Sequence, residues 1–133
     1  MSAQQPVVLV VDDDPDILET MSLMLRKRGL RVLTAAGPDE AMAVCRERGA
    51  EINVLVADLS LPGDLNGDLA RRVVAEQPHV KVVFATGVPR NIALATGLVD
   101  PSAPYLLKPV DADTLASVVH GLVPARTGSG RQL

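Results

Sequence analysis

Ile52-Asn53-Val54-Leu55-Val56-Ala57-Asp58-Leu59-Ser60-Leu61-Pro62-Gly63 is a largely apolar run that stops at a carboxylate and then turns. Apolar residues at consecutive positions, several of them β-branched, suit a central strand of a parallel sheet covered by helices on both faces. In such sheets ligands gather at the carboxyl ends of the strands. The stretch therefore predicts a strand over 52–57, a turn at Pro62-Gly63, and a rim position for Asp58.

The chain before this strand reads as strand, helix, strand, helix. Val7 to Val11 is an apolar run ending at Asp12-Asp13-Asp14-Pro15. Asp14 suits an N-cap with Pro15 at the first helical position. Ile17, Leu18, Met21, Met24 and Leu25 recur at helical spacing as an inward face, and Gly29 closes the helix after Arg26, Lys27 and Arg28. Val32 to Ala35 is a second strand. A second helix opens at Gly37-Pro38 with Ala41, Met42, Val44 and Cys45 inward, and closes at Gly49.

Beyond the Pro62–Gly67 loop, Leu69, Ala70, Val73 and Val74 mark a third helix ended by Pro78. A strand over Val80–Ala85 ends at Thr86-Gly87. Ile92 to Ala95 reads as a short helix limited by Gly97 and Pro101. Ala103 to Leu107 is a fifth strand, ending at Lys108-Pro109. Asp111 or Asp113 caps a last helix with Leu115, Val118, Val119 and Leu122 inward. Five strands alternating with helices through right-handed crossovers predict a doubly wound α/β fold. Residues 1–123 are expected to form one domain. Residues 124–133 read as a flexible tail with no effector domain.

Composition bounds the function. The 133 residues include one Phe, one Tyr and no Trp, so broad stacking surfaces for bases or sugars are not expected. A net charge of −3 leaves no general footprint for nucleic acid. Cys45 is the only cysteine, which excludes an internal disulfide and fits a reducing compartment. No apolar run reaches membrane-spanning length, and residues 1–5 do not read as a signal peptide. A cytoplasmic domain that binds neither nucleic acid directly nor membrane is expected.

Four predicted strands end in polar residues: Asp12-Asp13, Asp58, Thr86 and Lys108. In a parallel sheet these ends share one edge. Three neighbouring carboxylates repel and raise each other's pKa unless a cation compensates. Hard oxygen ligands with room for water suit Mg²⁺. Lys108 adds a fixed positive charge, which Pro109 helps to aim, and Thr86 adds a hydroxyl donor. The constellation reads as a metal-assisted phosphoryl acceptor with Asp58 as nucleophile.

With these residues in order, the chain resembles a bacterial two-component response-regulator receiver domain from about Pro6 to Val123. Val-Val-Asp-Asp-Asp-Pro is similar to the family's acid pair, and Val-Ala-Asp-Leu-Ser-Leu-Pro-Gly to its phosphoacceptor strand and turn. Ala-Thr-Gly resembles the switch-threonine segment, and Tyr-Leu-Leu-Lys-Pro the strand carrying switch aromatic and lysine. The resemblance implies a flavodoxin-like five-stranded sheet, order 2-1-3-4-5, with helices on both faces. It implies that Asp58 takes a phosphoryl group from a histidine kinase or phosphotransfer protein. Asp13 would ligate Mg²⁺ directly, Asp12 mostly through water, and Asp58 and the Ser60 backbone carbonyl would complete the metal site. Lys108 would contact the phosphoryl group, Thr86 would close over it, and Tyr105 would turn inward. The output would be a changed binding surface for an unknown downstream protein.

The chain departs from the family pattern in two places. The Asp64–Gly67 loop is one residue longer than common, and the fourth-helix region is interrupted by Gly and Pro and poor in charge. Rival readings are a receiver-shaped scaffold that is not phosphorylated in the cell and a phosphohydrolase with an aspartyl nucleophile. The second usually needs an acid two residues after the nucleophile, where this chain has Ser60. Flavin binding is disfavoured because Asp12-Asp13-Asp14 would repel a phosphate. The chain is expected not to be a true enzyme beyond self-phosphorylation from a donor and slow self-dephosphorylation. In the family the positions of Ser60 and Val88 flank the hydrolytic water, and neither side chain here suits activating it. His79 and His120 are given no catalytic role, and Arg71-Arg72 reads as a solvated helix face.

Overall fold

The computed structural model describes residues 5–64, 67–97 and 99–123. The elements alternate as β1 (Val7–Val11), α1 (Pro15–Arg26), β2 (Arg31–Ala35), α2 (Pro38–Arg48), β3 (Val54–Ala57), α3 (Asp68–Glu76), β4 (Lys81–Thr86), α4 (Arg90–Ala95), β5 (Tyr105–Leu107) and α5 (Ala112–Leu122). A short 3₁₀ turn, Gly49–Glu51, joins α2 to β3. All strand pairs are parallel, and the sheet order is β2-β1-β3-β4-β5. This is the doubly wound fold expected from the sequence.

Strand alternation sorts the core into two layers. Val8, Val10, Val54 and Val56 pack with Leu25, Leu115 and Val119 of α1 and α5 on one face. Val7, Leu9, Val11 and Leu55 pack with Met42, Cys45, Leu69 and Val73 of α2 and α3 on the other. Because β1 and β3 are covered on both sides, every residue in them is buried. Full burial of a Val or Leu side chain contributes about 1.5–3 kcal/mol, so these central strands anchor the rim they end in.

Local chemistry sets the boundaries. The Asp14 carboxylate accepts the amides of Asp16 and Ile17 at the start of α1. At its end Gly29 takes φ 84°, and the Leu30 amide reaches back to the Leu25 carbonyl at 3.2 Å. Asp111 caps α5 by accepting the Thr114 amide, while Asp113 pairs with Arg28 at 2.7 Å.

Three readings are corrected in detail. Met24 is 40% exposed because the inward stripe of α1 runs through Leu18, Ser22 and Leu25. β5 begins at Tyr105, not at Ala103, since Pro104 has no amide to donate and offers only its carbonyl to Phe84. β3 begins at Val54, where Asn53 spends its side-chain oxygen on the Val7 amide at 2.8 Å. The tail expected after Val123 and part of the Asp64–Gly67 loop lie outside the described residues.

Candidate phosphoacceptor site

Register alone brings the rim residues together. Val11 is level with Ala57, so Asp12 and Asp58, one residue further on, emerge side by side. Thr86 is level with Leu107, which sets Lys108 just beyond Thr86 at the adjoining strand end. The Lys108 amide donates to the Thr86 carbonyl at 2.9 Å, and the Lys108-Pro109 peptide is cis.

Each aspartate divides its two oxygens in the same way. Asp12 Oδ1 accepts the Asp14 amide and Asp58 Oδ1 accepts the Ser60 amide, both at 2.9 Å. The second oxygens face one ammonium: Lys108 Nζ donates to Asp12 Oδ2 at 2.5 Å and to Asp58 Oδ2 at 2.6 Å. Both carboxylates are buried, while the lysine side chain keeps 21% of its surface exposed. Burial alone would raise the Asp58 pKa, but hydrogen bonds from Lys108, Thr86 and the Ser60 amide outweigh it and hold the carboxyl below its ordinary range. Burial likewise works against the Lys108 charge, yet the two carboxylates raise its pKa. The result is an ionised, oriented carboxylate with a cation beside it, suited to attack on an electrophile that carries negative charge.

The other expected site residues fall at different distances from this pair. Thr86 is fully buried at the end of β4 and helps to lower the Asp58 pKa. Asp13 and Ser60 are exposed on the two loops beside it. Tyr105 packs its ring 6.2 Å from that of Phe84, centroid to centroid, and its hydroxyl donates to the Val88 carbonyl. Val88 is half-buried, and its amide donates to Thr86 Oγ1 at 3.3 Å. Sequence reasoning treated Val88 only through its side chain. Its backbone is what links Thr86 to Tyr105, a role that carries no residue-type signal.

A metal was expected among Asp12, Asp13 and Asp58. Among the described residues no three His, Cys, Asp or Glu side chains gather as a metal-binding group. Lys108 occupies the centre instead, and Asp13 stays at the surface. The donor set nevertheless fits Mg²⁺. Three aspartates against one ammonium leave a formal excess of two negative charges at the rim, all on hard oxygens with solvent alongside.

A parallel sheet in this order, with two carboxylates and a lysine converging at its carboxyl edge, defines a receiver-type signalling module. The model of the response regulator receiver domain matches residues 8–120, and the chain belongs to that family. Transcriptional regulatory protein AruR of Pseudomonas aeruginosa is 32% identical over 124 residues, covering 91% of this chain and 50% of AruR. Protein PilH of the same species is 30% identical over 119 residues, covering 87% of this chain and 96% of PilH. The chain thus spans about half the length of AruR and nearly all of PilH. Among solved structures, response regulator protein TrrA of Thermotoga maritima, in complex with Mg²⁺ and beryllofluoride, superposes with a TM-score of 0.75. It is 23% identical, and the match covers 90% of this chain and 100% of TrrA. No helix among the described residues is long and apolar enough to cross a membrane.

Proposed function

We propose that Asp58 is the phosphoacceptor of this receiver domain and takes its phosphoryl group from a phosphohistidine on a sensor kinase or phosphotransfer protein. One observation carries the reading: a buried, ionised Asp58 shares a single lysine ammonium with Asp12 at the carboxyl edge of the sheet. An Asp58 oxygen attacks phosphorus, the phosphorus–nitrogen bond breaks, and its electron pair returns to the imidazole. An acyl phosphate forms. Lys108 then has a phosphoryl oxygen to pair with, and the Thr86 hydroxyl can turn from the carboxylate to a second one. Asp12, Asp13, Asp58 and the Ser60 carbonyl would hold Mg²⁺, which supplies charge neutralisation for the phosphoryl oxygens.

The protein donor has a surface to approach. An apolar groove of about 540 Å³ runs from Lys108 and Pro109 along Ile17, Met21 and Met24 of α1. It is continuous with the site through Lys108 and takes in the exposed Met24. A kinase segment with an apolar face seated there would bring its histidine to Asp58. Phosphorylation is proposed to alter the surface around α4 and β5, where a downstream protein would read it.

The test is intact mass after incubation with phosphoramidate, with and without Mg²⁺, on wild type and Asp58→Asn. The expected result is a Mg²⁺-dependent gain of one phosphoryl group that Asp58→Asn abolishes. A folded wild type that gains none, from phosphoramidate or from a kinase, overturns the reading in favour of an unphosphorylated scaffold.

A further inference from the structure

Thr86, next to Asp58 on the rim, is joined to Tyr105 through the backbone of Val88. The Val88 amide donates to Thr86 Oγ1 at 3.3 Å, and the Val88 carbonyl accepts the Tyr105 hydroxyl. Everything in that path depends on where Val88 sits, and Val88 leads directly into α4. That helix has six residues, too few for stability on its own. Pro89 at its N-cap supplies no side-chain cap. Ala93 is its one buried residue, and Ile92 is 50% exposed. Ala93 and the partly buried Leu94 pack α4 on the core through one side only, and its N-terminal end is left without a side-chain cap.

Arg90, the first residue of α4, makes the missing tie. Its Nη2 donates to the Pro101 carbonyl at 3.1 Å, spanning from the start of the helix to the connection that enters β5. Tyr105 lies on the strand that this connection feeds; burial, and after it the Asp58 charge, raise the pKa of its phenol, and the Arg90 charge opposes them. Two clasps thus bracket Val88–Arg90: a phenol on the carbonyl of Val88 and a guanidinium reaching across to Pro101.

We infer that Arg90 is a positioning residue for the switch: its clasp on the Pro101 carbonyl keeps α4 where Val88 can receive the Tyr105 hydroxyl, and so sets how readily the site closes over a phosphoryl group. The inference rests on the phosphoacceptor reading of Asp58. With Arg90→Gln the clasp loses its charge and reach, Val88 is freed, and closure must reorder α4 each time.

Tyr105 is the only tyrosine and there is no tryptophan, so intrinsic fluorescence reports this one position. The experiment measures acrylamide quenching of Tyr105, beryllofluoride affinity in Mg²⁺, and the thermal midpoint for the full chain as wild type, Arg90→Gln and Arg90→Lys. Phosphoramidate labelling of wild type runs alongside. Arg90→Gln is expected to raise quenching and weaken beryllofluoride binding roughly fivefold or more, with the midpoint nearly unchanged. Arg90→Lys, which keeps a donor and the charge, is expected to restore part of both. Unchanged quenching and binding overturn the inference, as does a change in quenching with no change in binding. A collapse of the midpoint also overturns it, since Arg90 would then support the fold at large. A wild type that gains no phosphoryl group instead overturns the underlying assignment of Asp58, whatever Arg90→Gln does to Tyr105.

Discussion

Lys108 governs the charge balance of the rim. It neutralises one of the two buried carboxylates it touches and keeps both facing a common centre. In the proposed reaction its ammonium would also pair with an incoming phosphoryl oxygen. Lys108→Ala is therefore expected to leave the fold and Mg²⁺ binding largely intact and to slow phosphorylation by phosphoramidate roughly 10²-fold, as for loss of one preorganised donor. Wild-type labelling and a normal phosphate-dependent conformational shift in that variant would sink the assignment. Val88 makes a second test at the same scale. Its side chain cannot hydrogen bond a water, and exposed Ser60 reaches only a short distance. Val88→Glu is expected to shorten the phosphoryl lifetime roughly tenfold, short of the ~10² or more that a well-placed acid–base group provides. Decay of the phosphorylated mass over time checks this, and an unchanged lifetime would mean that water activation is limited elsewhere.

At the scale of elements, one junction shows how tightly the helical layer is closed away from the site. The Gln77 side chain, just after α3, lies over Gly49 at the end of α2 and donates to the Cys45 carbonyl at 3.4 Å. A Cβ on Gly49 would stand 2.3 Å from Gln77 Nε2. The overlap continues to Gln77 Cδ at 2.6 Å and Cγ at 2.9 Å, so the whole side chain must swing aside and give up its hydrogen bond. Gly49→Ala should therefore destabilise by about 1 kcal/mol, and Gly49→Ala in a Gln77→Ala background by much less. Urea unfolding of the four proteins measures the difference. An equal penalty in both backgrounds would place the cost in the backbone of the turn and not in the contact.

The element scale also shows where sequence patterns carry information. β1 and β3 were legible because burial on both faces leaves only apolar residues, and α1 and α5 because Asp14 and Asp111 cap them by direct hydrogen bonds. The face of α1 was harder to read. Buried Ser22 sits on the inward stripe while Met24 turns outward, which reverses the polarity that periodicity expects. α4 was legible as short because Gly97, at φ 73°, and Pro101 bound it. Its attachment was not, since a guanidinium on a distant carbonyl follows from tertiary placement alone.

For the whole molecule, the sheet converts four separate strand ends into one electrostatic unit, and this makes stability depend on pH in a definite sense. The site's residue types were readable in the sequence because register carries strand-terminal residues to one edge. That Lys108, and not a third carboxylate, lies between Asp12 and Asp58 required coordinates. The Asp58 pKa is lowered in the folded state, so its contribution to stability is present above the unfolded value near pH 4 and is lost as pH falls through the folded value. The Lys108 pKa is raised, so its contribution is full below the unfolded value of about 10.4 and is lost as pH rises through the folded value. The interaction is thus intact across the neutral range and weakens at both extremes. Lys108→Met removes the ammonium and leaves two buried carboxylates facing each other. Its destabilisation relative to wild type should be greatest around neutral pH and should shrink as pH falls toward 4 and below, because burial and repulsion raise the Asp58 pKa in the variant and the proton it takes up removes the repulsion. Denaturant midpoints for both proteins from pH 3 to pH 8 measure this gap. A gap that stays constant to pH 3 would mean that Lys108 stabilises the rim by packing its aliphatic stem, and that the carboxylates do not depend on its charge.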